Sequence, residues 1–331
     1  MMKADELVLS DVHLYSDNRP QDKLVSIVAC VTASDEVKSQ LKVVQSHFVF
    51  KLPGMQQYND NALERKELSY DDDGDLLVKR EESDEKEVML LNHFLCTPLD
   101  LVGLQVWSGA LLLSDYLLCY GHKILNEHHV LELGAGSGLC SIIAGMFSSC
   151  VFCTDFVDNV LEFSQNNVEM NKHLLGYFQR SNSICEKSCP VIVKRFDWTK
   201  HECEINLEDP WGWTMQEKDD LKKVNVILAA DVIYDDNLTD AFFETVIRLM
   251  LQPPSKVLYI SLEKRINFSL DVMDVACPAY THFYQYLQNL PLHSGHQDWD
   301  VQQVPTFFPQ LFHYKRTPQL ELWRVEALLS K

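Results

Sequence analysis

Residues 130–143, VLELGAGSGLCSII, join an apolar run to a cluster of three glycines and then to a second apolar run. Past the glycines, apolar residues recur at the spacing of one helix face, which predicts a strand, a tight turn and a helix. Glycines at such a junction let a ligand approach the backbone closely, since no Cβ stands in the way. The stretch therefore predicts a nucleotide-like cofactor at the turn. The alternative is a turn that only connects strand to helix.

The spacing of the glycines bears on which cofactor is expected. They are Gly134, Gly136 and Gly138, and Leu139 stands where the dinucleotide fingerprint GxGxxG needs its third glycine. Two residues before the first glycine, Glu132 offers a carboxylate. A carboxylate suits a cofactor with a cationic amino group better than it suits a diphosphate. An NAD-dependent oxidoreductase is therefore disfavoured.

Apolar strands alternate with helices from about residue 106 onward. The predicted elements end with a long helix over roughly 270–290 and two strands at 299–304 and 320–326. Continuous apolar strands joined by helices are typical of a parallel sheet covered on both faces. The sequence therefore predicts an α/β, Rossmann-like fold, in which ligands bind beyond the carboxyl ends of the strands.

Acidic and aromatic residues stand at the ends of three further predicted strands. Asp155 follows the first motif glycine by 21 residues, a position from which a carboxylate can bind a ribose diol in NAD and in S-adenosylmethionine (SAM) alike. Asp197 and Trp198 can hold an adenine amino group and cover the ring. Asp231 and Tyr234 end the fourth strand, where a substrate would meet the cofactor; the alternative is a helix cap and a core residue. Together the four strand ends predict a nucleoside site.

The charge balance bears on the partners. The 331 residues carry a net charge of −19, with 46% hydrophobic and 23% charged residues. Non-specific affinity for nucleic acid comes from Lys and Arg that neutralise phosphates, so no direct nucleic-acid binding is expected. No apolar run approaches the roughly 20 residues of a membrane helix, and the acidic N-terminus lacks the order of a secretory signal. We therefore expect no membrane association, and a location in the cytoplasm, the nucleus or both.

Ten cysteines are scattered along the chain. Cys150 and Cys153 share a CxxC spacing, but they lie in a predicted strand whose alternation puts their side chains on opposite faces. A zinc site drawn from the cysteines and histidine within 185–203 lacks a second CxxC. Buried free thiols in a reducing compartment are therefore expected, and no metal site.

Residues 1–95 and 96–331 differ in pattern. The first part has short β-like runs separated by polar loops, and its stretch 70–87 carries nine acids against three bases, which predicts a solvated loop. We therefore predict a β-rich N-terminal region followed by the cofactor-binding domain.

A second acidic segment, 201–223, lies between two predicted strands and contains Trp211 and Trp213. Acidic charge can recruit a basic protein substrate, and exposed tryptophans can supply an apolar anchor for it. The alternative is a solvated loop whose tryptophans pack against the domain.

Together these residues resemble a known family, the seven-strand SAM-dependent methyltransferases of family 16. The resemblance covers about 100–331 and rests on Glu132-x-Gly134-x-Gly136-x-Gly138, Asp155, Asp197–Trp198, Asp231-x-x-Tyr234 and the upstream run VWSGALLLSDYL (106–117). It implies a seven-strand sheet whose last strand is antiparallel, with SAM as cofactor and S-adenosylhomocysteine (SAH) as product. Most characterised members of that family methylate a lysine in a specific protein.

The resemblance also implies roles for the motif residues. With the residues reasoned above, nine are expected to hold the cofactor: Trp107, Glu132, Gly134, Ala135, Gly136, Asp155, Asp197, Trp198 and Ala230. Among these, Asp155 is expected to bind the ribose hydroxyls and Trp198 to pack on the adenine. Asp231 and Tyr234 match the DxxY element beside the target amine. We expect Asp231 to orient the arriving amine and Tyr234 to wall a narrow channel.

A protein-lysine N-methyltransferase is therefore the expected function, acting on a protein substrate that is basic around the target lysine. Alternatives stay open. Methyltransferases of exocyclic base amines typically carry two prolines inside the corresponding tetrapeptide, whereas residues 231–234 read DVIY. A methyltransferase of small molecules and a non-catalytic SAM-binding module are the others, since a fold does not by itself give an activity.

Overall fold

The computed structural model describes residues 7–10, 12, 41–50, 87–178, 189–200, 205–269, 274–294 and 298–328. The predicted acidic loop at 70–87 lies outside these residues, except for its last residue. Within the described ranges, no helix is long and apolar enough to cross a membrane.

The strands build one large sheet and several small ones. In chain order they are β1 (Leu7–Leu9), β2 (Val43–Phe50), β3 (Glu87–Phe94), β4 (Cys96–Pro98), β5 (His129–Leu133), β6 (Cys150–Asp155), β7 (Val191–Arg195), β8 (Val224–Ala230), β9 (Val257–Glu263), β10 (Asn267–Ser269), β11 (Asp274–Ala276), β12 (Asp298–Val304) and β13 (Leu320–Leu328). The seven-stranded sheet has the order β12-β13-β9-β8-β5-β6-β7. From β9 to β7 the strands are parallel, and β13 is antiparallel to both of its neighbours. The predicted α/β fold with an antiparallel last strand is confirmed.

The described helices connect these strands. They are a 3₁₀ helix (Leu99–Leu104), α1 (Ser108–Ile124), α2 (Leu139–Gly145), α3 (Asp158–Met170), α4 (Met215–Leu221), α5 (Asp236–Met250) and α6 (Pro278–Ser294). The helix predicted over 270–290 begins only at Pro278, because the residues before it pair as β10 and β11. Proline favours the first helical turn, where its missing N–H leaves no hydrogen bond unmade.

Apolar residues on the two faces of the sheet form separate clusters. Residues of α1 and α2 pack on one face, and residues of α5 and α6 on the other. Cys153 belongs to the first cluster and Cys150 to the second, so their predicted placement on opposite faces is confirmed. None of the cysteines in the described part of the chain forms a disulfide.

The strands that precede the sheet pack directly on it. β2 pairs with β3, and Phe48 and Met89 from this pair belong to the same cluster as α1. The Asn92 N–H donates to Asn167 Oδ1 of α3 at 2.9 Å, and Asn167 Nδ2 donates back to the Asn92 carbonyl at 3.0 Å. Two of the β-like runs predicted in the N-terminal region are thus present as strands and share a core with the sheet, and the run at 23–31 lies outside the described residues. The boundary between residues 95 and 96 stays a prediction.

Residues 205–223, the described part of the second acidic segment, are more ordered than the sequence indicated. Residues 215–221 form α4, which begins with a capping box between Thr214 and Glu217. Trp213 is 1% exposed, packs against Phe152 and donates its Nε1 hydrogen to the Arg195 carbonyl at 2.8 Å. Of the two alternatives for this tryptophan, packing against the domain is confirmed and the anchor is excluded, because its indole belongs to the core.

Candidate active site

A cavity of about 1060 Å³ opens at the carboxyl ends of the parallel strands. All the residues predicted from the sequence line it, namely Trp107, Glu132, Gly134, Ala135, Gly136, Asp155, Asp197, Trp198, Ala230, Asp231 and Tyr234. They come from the start of α1 and from the ends of β5, β6, β7 and β8. The structure brings these residues together, while the role of each stays a prediction.

One wall of the cavity comes from residues that no motif had indicated. The 3₁₀ helix and the residue after it contribute Leu99, Asp100, Val102, Gly103 and Gln105. This wall packs tightly on the glycine turn, since a Cβ on Gly136 would lie 2.8 Å from the Gly103 carbonyl oxygen. The sequence signal for the wall is weak because it has no regular spacing, and only the Val-Trp pair downstream marks its end.

The glycine turn holds its glycines in the left-handed region. Gly134 has a φ of +69° and Gly136 a φ of +53°, values that favour glycine. A Cβ on Gly134 would lie 2.8 Å from Val232 Cγ1 and 3.2 Å from the Trp198 ring, and both of these residues line the cavity. The missing side chains therefore keep the backbone of the turn open to a ligand.

Asp155 links the turn to the next loop. Its Oδ2 accepts from the Gly136 N–H at 3.1 Å, and its Oδ1 accepts from the Phe156 N–H at 2.7 Å. Burial raises the pKa of this carboxyl, and the backbone donors oppose the shift. Each carboxylate oxygen can accept a further hydrogen bond, so both can serve a ribose diol.

Arg195, at the end of β7, holds the loop that follows Asp155. Its guanidinium donates to the Phe156 carbonyl at 2.7 Å and pairs with Asp158 at the start of α3. The same group pairs with Asp209 at 2.9 Å. Arg195 thereby connects the acidic segment after β7 to the loop beside the cavity.

Glu132 lies deep in the site and is 1% exposed. Its carboxylate accepts a short hydrogen bond from the Ser141 hydroxyl of α2. Burial raises the pKa of Glu132 to about 7, against the hydrogen bonds that favour the charged form. A cationic group in the cavity would therefore find a carboxyl that ionises readily once the cation is near.

This raised pKa makes a prediction about folding stability. The folded protein binds the proton of Glu132 more tightly than the unfolded chain does. The free energy of unfolding therefore falls as the pH rises from about 4.5 to about 7, and above pH 7 this loss of stability is complete. Glu132→Gln should therefore gain about 3 kcal/mol in the free energy of unfolding, relative to the unchanged protein, between pH 4.5 and 8. Urea denaturation at both pH values measures it, with Glu208→Gln as the exposed control. A pH-independent difference would contradict the prediction.

Asp197 and Trp198 occupy the end of the third parallel strand. Asp197 Oδ1 accepts from the Thr199 N–H at 3.0 Å and from its hydroxyl at 2.6 Å, so this carboxylate shapes its own turn. The Trp198 ring packs edge-to-face on Phe242 at 5.4 Å between ring centres. A half-buried indole held in this way can cover one face of a planar ligand.

Asp231 is held by backbone donors on both of its oxygens. Oδ2 accepts from the Gly109 N–H at 2.5 Å, and Oδ1 accepts from the Glu263 N–H at 3.0 Å. A Cβ on Gly109 would lie 2.6 Å from Oδ2, so only glycine fits there. The Ser261 hydroxyl adds a bond to the Gly109 carbonyl at 2.8 Å. Asp231 therefore fastens the start of α1 to the ends of β8 and β9.

Trp107 and Tyr234 stand near the entrance. Trp107 Nε1 donates to the Val102 carbonyl at 3.0 Å, and the Arg265 guanidinium lies 4.4 Å from the centre of the Trp107 ring. Tyr234 is 43% exposed. Desolvation, with the charges of Asp155 and Asp235, raises the pKa of Tyr234 to about 12. Its hydroxyl thus stays protonated and available as a hydrogen-bond donor.

The charge of the lining is one-sided. Among the described residues that line the cavity there is no lysine, arginine or histidine, and six are acids: Asp100, Glu132, Asp155, Asp197, Asp231 and Asp235. The diphosphate of a dinucleotide would meet no basic side chain here. SAM carries a sulfonium, an ammonium and a single carboxylate, so its net charge is positive. The open glycine turn and this set of acceptors fit SAM.

Comparisons with known proteins agree with this geometry. The family described as lysine methyltransferase matches residues 97–276. Methyltransferase-like protein 22 is 39% identical in Homo sapiens, over 77% of this chain and 62% of that protein, and 40% identical in Mus musculus, over 77% and 63%. Protein N-lysine methyltransferase METTL21A of Xenopus tropicalis is 28% identical over 62% of this chain and 81% of its own. The chain thus spans less than two thirds of the first two relatives.

Proposed function

Since this chain belongs to the lysine methyltransferase family, we propose that it transfers a methyl group from SAM to the side-chain amine of a lysine in another protein. The observation that carries the proposal is the cavity lined by six acids and by no base among its described residues. Such a lining favours a cationic cofactor and a cationic side chain over phosphate-bearing ligands.

Different residues of the site bind different parts of the cofactor. Asp155 binds the ribose hydroxyls, Trp198 covers the adenine, and Glu132 faces the positive charge of the cofactor. When bound, SAM supplies an electrophilic methyl group on a positively charged sulfur. Methyl transfer needs an in-line nucleophile and little covalent help from the protein, so positioning dominates the rate.

The target amine has to lose its proton before transfer. A lysine has a pKa of about 10.4, which leaves about one molecule in a thousand neutral near pH 7.4. Burial beside the positively charged sulfur of the cofactor would lower this pKa and favour the neutral nucleophile, whereas the acids of the lining favour the ammonium form. Tyr234 walls the entrance, and its protonated hydroxyl takes no proton from the amine. The ammonium therefore gives its proton to water before the neutral amine meets the cofactor.

Asp231 serves this reaction by positioning the fold around the amine. Both of its oxygens already accept backbone hydrogens, from Gly109 and from Glu263. These two hydrogen bonds fix the start of α1 and, with it, Trp107, which lines the cavity. Each oxygen can accept one further hydrogen bond, so the predicted role of Asp231 in orienting the amine stays a prediction beside this positioning role.

The substrate follows from the same charge. A lysine in basic surroundings complements the acids of the cavity and the net charge of −19. Nucleic acid is disfavoured as the substrate, because the described lining offers its phosphates no basic partner. A protein substrate that is basic around its target lysine is therefore our proposal, without direct nucleic-acid or membrane binding.

Labelled SAM added to a cell lysate tests the proposal. With the purified chain, we expect label in protein, and we expect it to vanish when the lysines of the lysate are acylated beforehand. Asp155→Ala serves as the inactive control. Label in RNA or in the small-molecule fraction, or label that survives acylation, would overturn the lysine assignment.

We propose the cytoplasm or the nucleus as the location. Six of the described cysteines are buried thiols outside any disulfide, which is typical of a reducing compartment. Microscopy of a fluorescent fusion of the full-length protein would show it, and a signal in the secretory pathway would contradict the assignment.

A further inference from the structure

Arg195 lies outside the cavity lining, yet its guanidinium joins the loop beside the cavity to the second acidic segment. Nη1 donates to the carbonyl of Phe156, a residue that lines the cavity, at 2.7 Å. Nε donates to Asp209 Oδ2 at 2.9 Å, and Nη2 pairs with Asp158 at the start of α3. A guanidinium is planar and holds its N–H groups in fixed directions, so Asp209 also fixes the hydrogen that Arg195 offers to Phe156.

The carboxylate that anchors Arg195 is held by its own segment. Asp209 Oδ1 accepts from the Trp211 N–H at 3.0 Å, and the Asp209 carbonyl accepts from the Gly212 N–H at 2.9 Å. The Arg195 backbone joins the same segment, since its N–H donates to the Trp211 carbonyl at 2.9 Å. The hydrogen bond from the guanidinium lowers the pKa of Asp209, so this carboxylate stays ionised at neutral pH. Residues 209–212 therefore form a fixed and charged anchor.

The position of the Phe156 backbone depends mainly on hydrogen bonds. The Phe156 side chain is 54% exposed, so packing of its ring does little to fix the loop. Its N–H donates to Asp155 Oδ1 at 2.7 Å, and its carbonyl accepts from Arg195. The guanidinium therefore holds the residue whose N–H in turn holds the Asp155 carboxylate.

We propose that Arg195 is a positioning residue for the cofactor. Anchored by Asp209, it fixes the Phe156 backbone and thereby aims the Asp155 carboxylate at the ribose hydroxyls of SAM. The inference rests on the proposed function, because it takes SAM as the ligand and Asp155 as the residue that binds its ribose. It makes part of the second acidic segment necessary for cofactor binding, although Asp209 lies outside the cavity lining.

Two ligands that differ by one ribose hydroxyl test the inference. SAH carries the diol, whereas the 2′-deoxy analogue of SAH lacks one of its two hydroxyls. In the unchanged chain we expect calorimetry to show a preference for SAH over the analogue of at least about tenfold, because the analogue loses a hydrogen bond to a charged group. In Arg195→Met we expect SAH to bind about tenfold more weakly and the preference to fall to about twofold or less, because Asp155 is no longer aimed at the ribose.

Arg324→Met is the matched control. Arg324 of β13 also pairs with two carboxylates, those of Asp300 and Glu326, and its side chain is 26% exposed against 28% for Arg195. It does not line the cavity, so the variant should leave both affinities within about twofold. Asp209→Asn is the second test variant, because it keeps the size of the side chain and weakens the anchor. It should reduce the preference for SAH at least about threefold.

Losses in Arg195→Met that are equal for SAH and its analogue, or no loss, would overturn the inference, because a merely structural role lowers both affinities alike. An unchanged chain that binds SAH without preferring it to the analogue would overturn the inference and leave SAM binding standing. Failure of the unchanged chain to bind SAH would instead overturn the proposed function. Should Arg195→Met not fold, the preference measured in Asp209→Asn decides the matter.

Discussion

Asp155→Ala should abolish measurable binding of SAM and SAH, with a loss of affinity of at least about 100-fold. A hydrogen bond to a charged group contributes about 1.5–3 kcal/mol, and the carboxylate would make two of them with the ribose diol. The change also removes the acceptor of the Gly136 and Phe156 N–H groups, so the turn loses part of its support. Each effect weakens the same binding step.

Calorimetric titration with SAM, SAH and NAD measures this effect. Asp219→Ala is the control, because it removes an exposed carboxylate of α4 that does not line the cavity. We expect the control and the unchanged chain to bind SAM and SAH alike and NAD weakly or not at all. Unaltered SAH affinity in Asp155→Ala would contradict the ribose assignment. Tight NAD binding would instead indicate an NAD-dependent oxidoreductase.

The second large effect concerns the contact between Gly109 and Asp231. A methyl group on Gly109 would lie 2.6 Å from Asp231 Oδ2, and overpacking of this kind costs about 1–3 kcal/mol of stability. Asp231→Ala should cost about 2–4 kcal/mol, because it leaves the Gly109 and Glu263 N–H groups without an acceptor. Gly109→Ala and Asp231→Ala should each lose at least about tenfold in turnover. The start of α1 carries Trp107, so a shift of this helix displaces part of the cavity that positions the reactants.

The double variant Gly109→Ala, Asp231→Ala tests whether the two residues act through their mutual contact or through two unrelated defects. Once Asp231 is alanine, the methyl group on Gly109 no longer meets a carboxylate, so the double variant should be about as stable as Asp231→Ala alone. Urea denaturation of the four proteins gives this cycle. Ser108→Ala is the control, because it changes the preceding residue without adding an atom beside the carboxylate. Additive losses would show that the two residues do not act through this contact.

The sequence predicted the parts of the site that follow a regular rule. The glycine turn and the acids at the strand ends can be read from one strand and its continuation, and the structure places Asp155 and Tyr234 around one cavity as expected. The sheet could be predicted equally well, because buried parallel strands are apolar throughout and helices separate them in the sequence.

The parts that were missed depend on contacts between distant residues. Asp231 meets Gly109 across 122 residues, and no local pattern shows that its oxygens accept backbone hydrogens from two other elements. The sequence left open whether Trp213 anchors a partner or packs, because its burial depends on Phe152, which lies far from it along the chain. The β10–β11 pair consists of two three-residue strands, too short for an alternating pattern to show.

The wall supplied by the residues before α1 limits how this protein can be redesigned. Exchanging residues 1–95 for an unrelated sequence would keep every strand of the seven-stranded sheet and would remove the Val8 carbonyl that faces Gln105. It would also remove Asn92, whose backbone N–H and carbonyl both form hydrogen bonds with the Asn167 side chain. A chimera therefore has to reproduce backbone groups at these two places, whatever side chains its new extension carries.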